Sequence, residues 1–229
     1  MHVDNLQDYT KKIRFAKAEG VGIDASFIGD SFAGVVLTDK LTPMTPDEAA
    51  KAISEGYKVV TGRKPTAKIL GLMLAQWALE TGNGKSIHHF NYGNGKATKN
   101  SGFTTYFRCS EIINGQEQFF NPPDPHCHFA AYPSAIEGAI AFVNLLKSRE
   151  NWWKGLHTGT PAGFVKGLST QPFAYFTANV TLYQNVLTER FGKYFDVAKQ
   201  YARPSFFWEL ILGLTIAAGG VYGIKKLRS

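Results

Sequence analysis

Cysteine is scarce in this chain of 229 residues, with two present, so a disulfide framework does not hold the fold together. Internal repeats and low-complexity tracts are missing, which excludes solenoid and fibrous classes. Basic runs, a recognition-helix pattern and interleaved aromatic and basic residues are also missing, so no nucleic-acid partner is predicted. The opening residues, Met1 to Asn5, lack the basic start and apolar run of a secretion signal. We therefore expect no export leader.

Apolar and aromatic residues are plentiful, at 44% and 14% of the chain. A chain of this composition can bury a sizeable core, which excludes intrinsic disorder. Lysine and arginine number 25 against 18 aspartate and glutamate residues, a formal net charge of +7. This balance suits an anionic partner such as a lipid surface or a cell-wall polymer, although it indicates nothing about the fold.

One long apolar run lies near the C-terminus. Phe206 to Ile224 contains 19 residues with a single charge, at Glu209, and as a helix it would extend about 28 Å, close to the ~30 Å of a bilayer core. Aromatic residues mark both ends and a basic tail follows. A buried core helix is the alternative, but such helices are usually shorter. We expect one transmembrane helix here; basic residues flank both ends, so the orientation stays open.

Three parts follow from these patterns: an N-terminal extension (1–44), a compact domain (45–203) and an anchor with a basic tail (204–229). The extension should open with a helix that Asp4 and Gln7 cap. The patterns predict that the domain is mainly helical with one central β-hairpin. Its elements are predicted as helices over 45–56 and 65–81, a helix that begins at Ser134 and has apolar positions as far as Leu146, and a helix over 179–203 with Gly192 as a candidate interruption. A hairpin around Asn114-Gly115 and a loop or short helix at Trp152 and Trp153 are also predicted.

The second of these helices carries the most informative carboxylate. Met73, Trp77 and Glu80 are spaced four and three apart, so they share one apolar stripe. Loss of water and the negative end of the helix dipole both disfavour the carboxylate anion at Glu80. A glycosidase needs a carboxyl group of this kind as its general acid. An exposed glutamate at a helix end, or one paired with Lys85, explains the periodicity equally well.

The residues around Glu80 resemble a known signature. They read AQWALETGNGKS and then FNYGNGKA, similar to the Ala-Gln-x-Ala-Leu-Glu-(Ser/Thr)-Gly-x-Gly and Asn-x-(Phe/Tyr)-Gly motifs of peptidoglycan-cleaving glucosaminidases in the lysozyme superfamily. Three later segments resemble that family's motifs in the same order: Ser110 to Gly115, Phe129 to Ser134, and Ala174 to Asn179 with Tyr183 beyond. The resemblance covers residues 45–203 and implies a lysozyme-like α+β domain with a small β-hairpin lobe.

The resemblance also implies a site. Glu80 would be the general acid, Glu111 on the hairpin would activate water or stabilise positive charge on the sugar, and Tyr175 would face the cleft. Glycan hydrolysis usually employs such a pair of carboxyl groups. Sugar-binding positions would be Asn91, Tyr92 and Gly93 on the floor of the groove, with Trp152 as a candidate stacking residue.

Departures from the family pattern bear mainly on the second acid. Glu117 is a rival to Glu111, six residues on across the turn, and Phe176 and Ala178 replace small and acidic residues of the tyrosine motif. His126 and His128 would share one face of a strand and Cys127 the other, which matches no metal-site spacing. We expect neither a metal nor a cofactor. Cys109 and Cys127 could form a disulfide or remain thiols.

The expected function is therefore a membrane-anchored peptidoglycan hydrolase of the endo-β-N-acetylglucosaminidase type. A lytic transglycosylase, which leaves an anhydro sugar, is the nearest alternative. A non-catalytic membrane or virion structural protein with a lysozyme-like body is the alternative from another class. The anchor beside a wall-cleaving domain suits a membrane-containing bacteriophage, so possible partners are peptidoglycan strands, the lipid bilayer and virion proteins.

Overall fold

The computed structural model describes residues 35–113, 116–172, 174–176 and 179–204, with side chains for all of these except 111–113. This part of the chain is mainly helical, as the sequence predicts, and it contains two small sheets where a single hairpin was predicted. The helices are α1 (Pro46–Thr61), α2 (Ala67–Thr81), α3 (Ala135–Lys147), α4 (Glu150–His157), α5 (Pro161–Leu168) and α6 (Val180–Tyr201). The strands are β1 (Val35–Leu37), β2 (Phe103–Tyr106), β3 (Cys109–Ile113), β4 (Gln116–Phe120) and β5 (His128–Ala131).

Helix α2 is the centre of the fold. The Thr66 side chain accepts a hydrogen bond from the amide of Ile69 at its start, and Gly82 in the left-handed region ends it. Every residue from Ile69 to Thr81 is buried, because α6 packs along one side and α1 and α4 contact others. The stripe predicted at Met73, Trp77 and Glu80 is therefore one side of a helix that is covered all round.

Helix α1 begins as predicted and ends later than predicted. Thr45 and Glu48 form a capping box, with Pro46 in the first turn. The helix continues past Gly56 to Thr61, so the predicted end at Gly56 is wrong. A Cβ at Gly56 would lie 2.9 Å from backbone atoms of Ala139. This glycine therefore permits close contact between α1 and α3, and it does not end the helix.

The strands form two separate sheets. In the first, β1 runs parallel to β2 and β2 runs antiparallel to β5. The second is the predicted hairpin, in which β3 pairs with β4 and Cys109 lies opposite Phe120. Its turn residues, 114 and 115, lie outside the described residues. Strand β1 belongs to the predicted extension, yet it pairs with the domain; the domain boundaries stay a prediction.

Three further predictions can be compared with the structure, one just before β5 and two in helices α4 and α6. Residues Pro125–Cys127 form a 3-10 turn, so the assumption that they alternate along a strand is wrong. The side chain of Asp124 caps this turn by accepting from the amide of His126 at 2.8 Å. Trp152 lies in a helix, α4, and α6 passes through Gly192 without interruption.

Two predicted segments lie outside the described residues: the helix at Asp4 and Gln7, and the apolar run from Phe206 to Ile224. Among the helices of residues 35–204, none combines the length and apolar character that a bilayer crossing requires.

Candidate active site

The site is built on the last turn of α2. Glu80 is only 1% exposed, and it lies two residues before the glycine that ends the helix. Gln76, one turn earlier, donates a hydrogen bond from Nε2 to Oε1 of Glu80 at 3.0 Å. The i, i+4 spacing brings these two side chains together on the helix surface. A carboxyl group that is almost fully buried thus has a defined neutral partner.

Helix α6 fixes the orientation of the Gln76 amide. Tyr183, which is fully buried, donates its hydroxyl to Oε1 of Gln76 at 2.7 Å. Its ring stacks on Phe176 with centroids 3.8 Å apart and planes at 4°. Because Tyr183 engages the amide oxygen, the amide nitrogen is directed at Glu80. Tyr183, Gln76 and Glu80 therefore form a buried relay from α6 to the carboxyl group.

Tyr175 covers the same carboxyl group from the segment after α5. It is 1% exposed, its amide donates to the carbonyl of Leu168 at 2.6 Å, and its ring meets Trp152 edge-on at 5.0 Å. Burial raises the pKa of Tyr175 well above its ordinary value, and the negative charge and hydrogen bond of Glu80 add to the rise. Tyr175 therefore keeps its proton at neutral pH and acts as a donor toward the site.

The turn after Glu80 is held by a second buried network. Asn83 has a positive φ of 59°, and its side-chain oxygen accepts bonds from Nη1 of Arg190 at 3.0 Å and from the hydroxyl of Tyr194 at 2.7 Å. Arg190 is a buried charge, 6% exposed. Its cation lies at the negative end of the α2 dipole, where positive charge is favourable. This network fixes the backbone immediately after Glu80.

The predicted sugar-binding residues Asn91, Tyr92 and Gly93 lie together beside a cavity of about 170 Å³. The amide of Asn91 is occupied within the protein: Nδ2 donates to the carbonyls of Gly95 and Ala130 at 2.8 and 2.9 Å, and Oδ1 accepts from the amide of Gly95. Asn91 therefore braces its own loop in this structure. The carbonyl of Gly93 accepts a bond from the Tyr175 hydroxyl at 3.4 Å, which connects this loop to the Glu80 site.

Tyr92 and Trp152 are packed inside the domain. Tyr92 is fully buried and stacks on Phe142, with ring centroids 6.2 Å apart. Trp152 is 4% exposed and packs against Tyr175. Both residues support the site in the described arrangement. Direct contact of either ring with a sugar stays a prediction.

The hairpin carries both candidates for the second acid. Glu111 pairs with Gln118 in the ladder, and the neighbouring pair joins Ile112 to Glu117. Glu117 is exposed and accepts a bond from the hydroxyl of Ser110 at 2.9 Å. The Glu111 side chain lies outside what the structure describes, so its role stays a prediction.

Two residues of the site, Gln76 and Tyr183, had no predicted role. Gln76 had a usable signal, because it lies four residues before Glu80 on a predicted helix. Tyr183 belongs to the tyrosine motif, but the contact joins residues 107 positions apart, and nothing local in the sequence indicates it.

Comparison with known proteins gives two similar solved structures. No family model matches the chain, and no curated protein matches it. A peptidoglycan hydrolase mutant from Sphingomonas sp. A1 is 24% identical with a TM-score of 0.48, over 69% of this chain and 93% of that one. A C-terminally truncated glycoside hydrolase domain of Salmonella typhimurium FlgJ is 20% identical with a TM-score of 0.44, over 65% and 96%.

Proposed function

We propose that the chain is a peptidoglycan hydrolase that cleaves β-1,4 glycan strands by general acid catalysis from Glu80. The observation that carries the proposal is the setting of this carboxyl group: it is 1% exposed, in the last turn of a buried helix, with Gln76 donating to Oε1. The AQWALETGNGKS signature around it supports the same role. A carboxyl group placed this way is suited to hold a proton for a leaving group.

In the proposed reaction, Glu80 gives its proton to the glycosidic oxygen. The hydrogen bond from Gln76 to Oε1 holds the carboxyl group in one orientation for this transfer. The bond from the anomeric carbon to the glycosidic oxygen then breaks, the bonding electrons stay on that oxygen, and positive charge develops on the sugar. Water then adds to the anomeric carbon and loses one proton, either to Glu111 acting as base or, if Glu111 only stabilises the charge, to the Glu80 carboxylate. In the first case Glu80 regains its proton from solvent as Glu111 releases one; Glu117 is the alternative to Glu111.

Substrate must displace the cover over Glu80, since a glycosidic oxygen cannot reach a carboxyl group that is 1% exposed. Tyr175 contacts both Glu80 and the carbonyl of Gly93. A shift of this tyrosine would open the path to the carboxyl group while Gln76 and Tyr183 keep holding it. The proposed role of Tyr175 is to cover the carboxyl group until substrate displaces it.

The finer assignment is an endo-β-N-acetylglucosaminidase on a membrane, carried by a bacteriophage with a lipid component. It is supported by the family motifs and by the apolar run from Phe206 to Ile224. Product analysis tests the bond that is cut: a reducing N-acetylglucosamine end supports this assignment, and an anhydromuramic end means a lytic transglycosylase. Recovery of the protein only from the envelope of uninfected bacteria would contradict the virion role.

A zymogram with cell-wall material tests the catalytic proposal. Wild type should clear the gel and Glu80→Gln should not, because the amide has the shape of the acid but no proton to deliver. Glu150→Gln is the matched control, since Glu150 is exposed and pairs with Lys154 one turn later in α4; it should clear like wild type. Equal clearing by wild type and Glu80→Gln would contradict the site. No clearing by wild type would favour a structural protein.

A further inference from the structure

A second cavity, of about 300 Å³, lies at the start of α2. Its lining includes basic and hydrogen-bonding side chains, namely Tyr57, Arg63, Lys64, Lys68, His157 and Arg203. Thr66, which caps α2, is also part of the wall. The cavity therefore lies at the end of α2 opposite to Glu80. At a rise of about 1.5 Å per residue, the two ends are separated by about 21 Å.

The cavity is strongly basic. No aspartate or glutamate lies among the lining residues in the part of the chain that the structure describes. Lys64 pairs with Glu55 outside the lining at 3.0 Å, whereas Arg63 and Lys68 are exposed side chains at the cavity. The net charge of the lining is therefore positive even after the Lys64 pair is discounted.

Polar groups at the inner wall add hydrogen-bonding capacity. The hydroxyl of Tyr57 lies 3.0 Å from Nε2 of His157. Burial raises the pKa of Tyr57, while the positive charges of Arg63 and Arg203 oppose the rise. Those two charges thus act on the hydroxyl group at the inner wall. Guanidinium and ammonium donors around one space recognise a phosphate group.

The described chain also ends at this cavity. The amide of Arg203 donates to the carbonyl of Pro65 at 3.0 Å, which ties the end of α6 to the start of α2. Phe206 follows three residues later and begins the apolar run. If that run crosses a bilayer, the cavity lies at the level of the lipid headgroups. Basic groups next to a membrane span attract anionic lipids.

We propose that this cavity binds the phosphate of an anionic phospholipid headgroup and directs the Glu80 end of the domain away from the bilayer. The proposal rests on the membrane anchor of the proposed function, but not on its catalytic part. Arg63 and Lys68 supply the binding charges. With the lipid bound at one end of α2, the candidate active site lies about 21 Å further out, toward the cell wall.

Thermal unfolding of the full chain in mixed micelles tests this proposal. Micelles with phosphatidylglycerol are compared with micelles holding the same fraction of phosphatidylcholine, and inorganic phosphate is compared with chloride at equal ionic strength. Phosphatidylglycerol should raise the Tm of wild type by about 3–6 °C, as expected for a ligand that binds the folded state alone. Phosphate should give a smaller rise.

Two double variants remove the same charge in different places. Arg63→Ala with Lys68→Ala should abolish both rises. The control double variant, Lys147→Ala with Lys166→Ala, changes exposed positions on α3 and α5 and should show the same increases in Tm as wild type. Equal responses of the two doubles would overturn the proposal in favour of general attraction, and so would no response of wild type. A response to phosphate but not to phosphatidylglycerol would overturn the lipid assignment.

Failures of the two proposals are distinguishable. The zymogram with Glu80→Gln reports the catalytic part, and extraction of membranes with alkaline carbonate reports the anchor, whereas the micelle experiment reports lipid binding without needing activity. Release of the full chain by carbonate would overturn the anchor and, with it, the membrane role of this cavity.

Discussion

Replacing Tyr183 by phenylalanine removes one oxygen atom from the buried relay behind Glu80. The substitution keeps the ring, and therefore the stacking on Phe176 at 3.8 Å. The hydrogen bond to Oε1 of Gln76, at 2.7 Å, is lost. Gln76 is fully buried, so no solvent reaches its amide oxygen in the described structure.

The loss of this hydrogen bond should change both the stability of the protein and its catalytic rate. A buried amide oxygen without a partner costs about 1–3 kcal/mol, more than the net value of an ordinary hydrogen bond. We therefore expect the free energy of unfolding to fall by about 1–3 kcal/mol. The Gln76 amide also becomes able to turn over and present its oxygen to Glu80, which misplaces the carboxyl group. A loss of about tenfold in kcat, with KM little changed, is expected from such misplacement.

Urea denaturation of the full chain in micelles measures the first effect, and turnover of a soluble β-1,4 glycan fragment measures the second. Tyr201→Phe is the matched control, because its hydroxyl makes an exposed bond to Asp47 at 3.3 Å, and its loss should leave stability and turnover close to wild type. If Tyr183→Phe and Tyr201→Phe behave alike in both assays, the relay does not hold Glu80.

Two further predictions concern the turn after Glu80 and the tyrosine above it. Gly84→Ala should lower the free energy of unfolding by about 3 kcal/mol or more, because the new Cβ would lie 2.2 Å from the carbonyl oxygen of Met44. Gly62→Ala is the control: Gly62 has a similar φ of 81° but nothing within 4 Å of a Cβ, so it should cost only about 1 kcal/mol. Equal costs of the two variants in urea denaturation would contradict the clash. The folded state keeps the Tyr175 proton because its pKa is raised, so unfolding releases that proton at alkaline pH and the free energy of unfolding should fall as the pH rises above about 10. Tyr175→Phe should make this fall shallower by up to about 1.4 kcal/mol per pH unit, and an unchanged slope would show that Tyr175 titrates normally.

Local chemistry made much of the helical framework predictable. Thr45, Pro46 and Glu48 specify a helix start through contacts within four residues, and the structure confirms their capping box. The hairpin is likewise a local feature, with strand-forming residues clustered around Asn114-Gly115, and its ladder is present. Helical spacing placed Glu80 on the stripe of Met73 and Trp77, but it fitted an exposed glutamate equally well, and the motif resemblance around Glu80 favoured the buried carboxyl group that the structure has.

Long-range packing explains what could not be predicted. A glycine such as Gly56 is typical of a helix end. Only its close approach to Ala139 shows that Gly56 lies where α1 crosses α3. Likewise, the hydrogen bonds by which Asn91 braces its loop reach Ala130, 39 positions away, while its contact with a sugar stays a prediction. Such roles depend on partners far away in the sequence, and the periodicity of a single segment does not predict those partners.

The central claim is that Glu80 delivers the proton that releases the leaving group, and a change of leaving group tests it most directly. Rates of wild type and Glu80→Gln are measured on a natural β-1,4 glycan and on the same oligosaccharide carrying a dinitrophenyl leaving group, which departs without protonation. We expect Glu80→Gln to lose about 10²–10⁴-fold on the natural glycan and to stay near the wild-type rate on the dinitrophenyl substrate. Equal losses on both substrates, or no loss on either, would contradict the account.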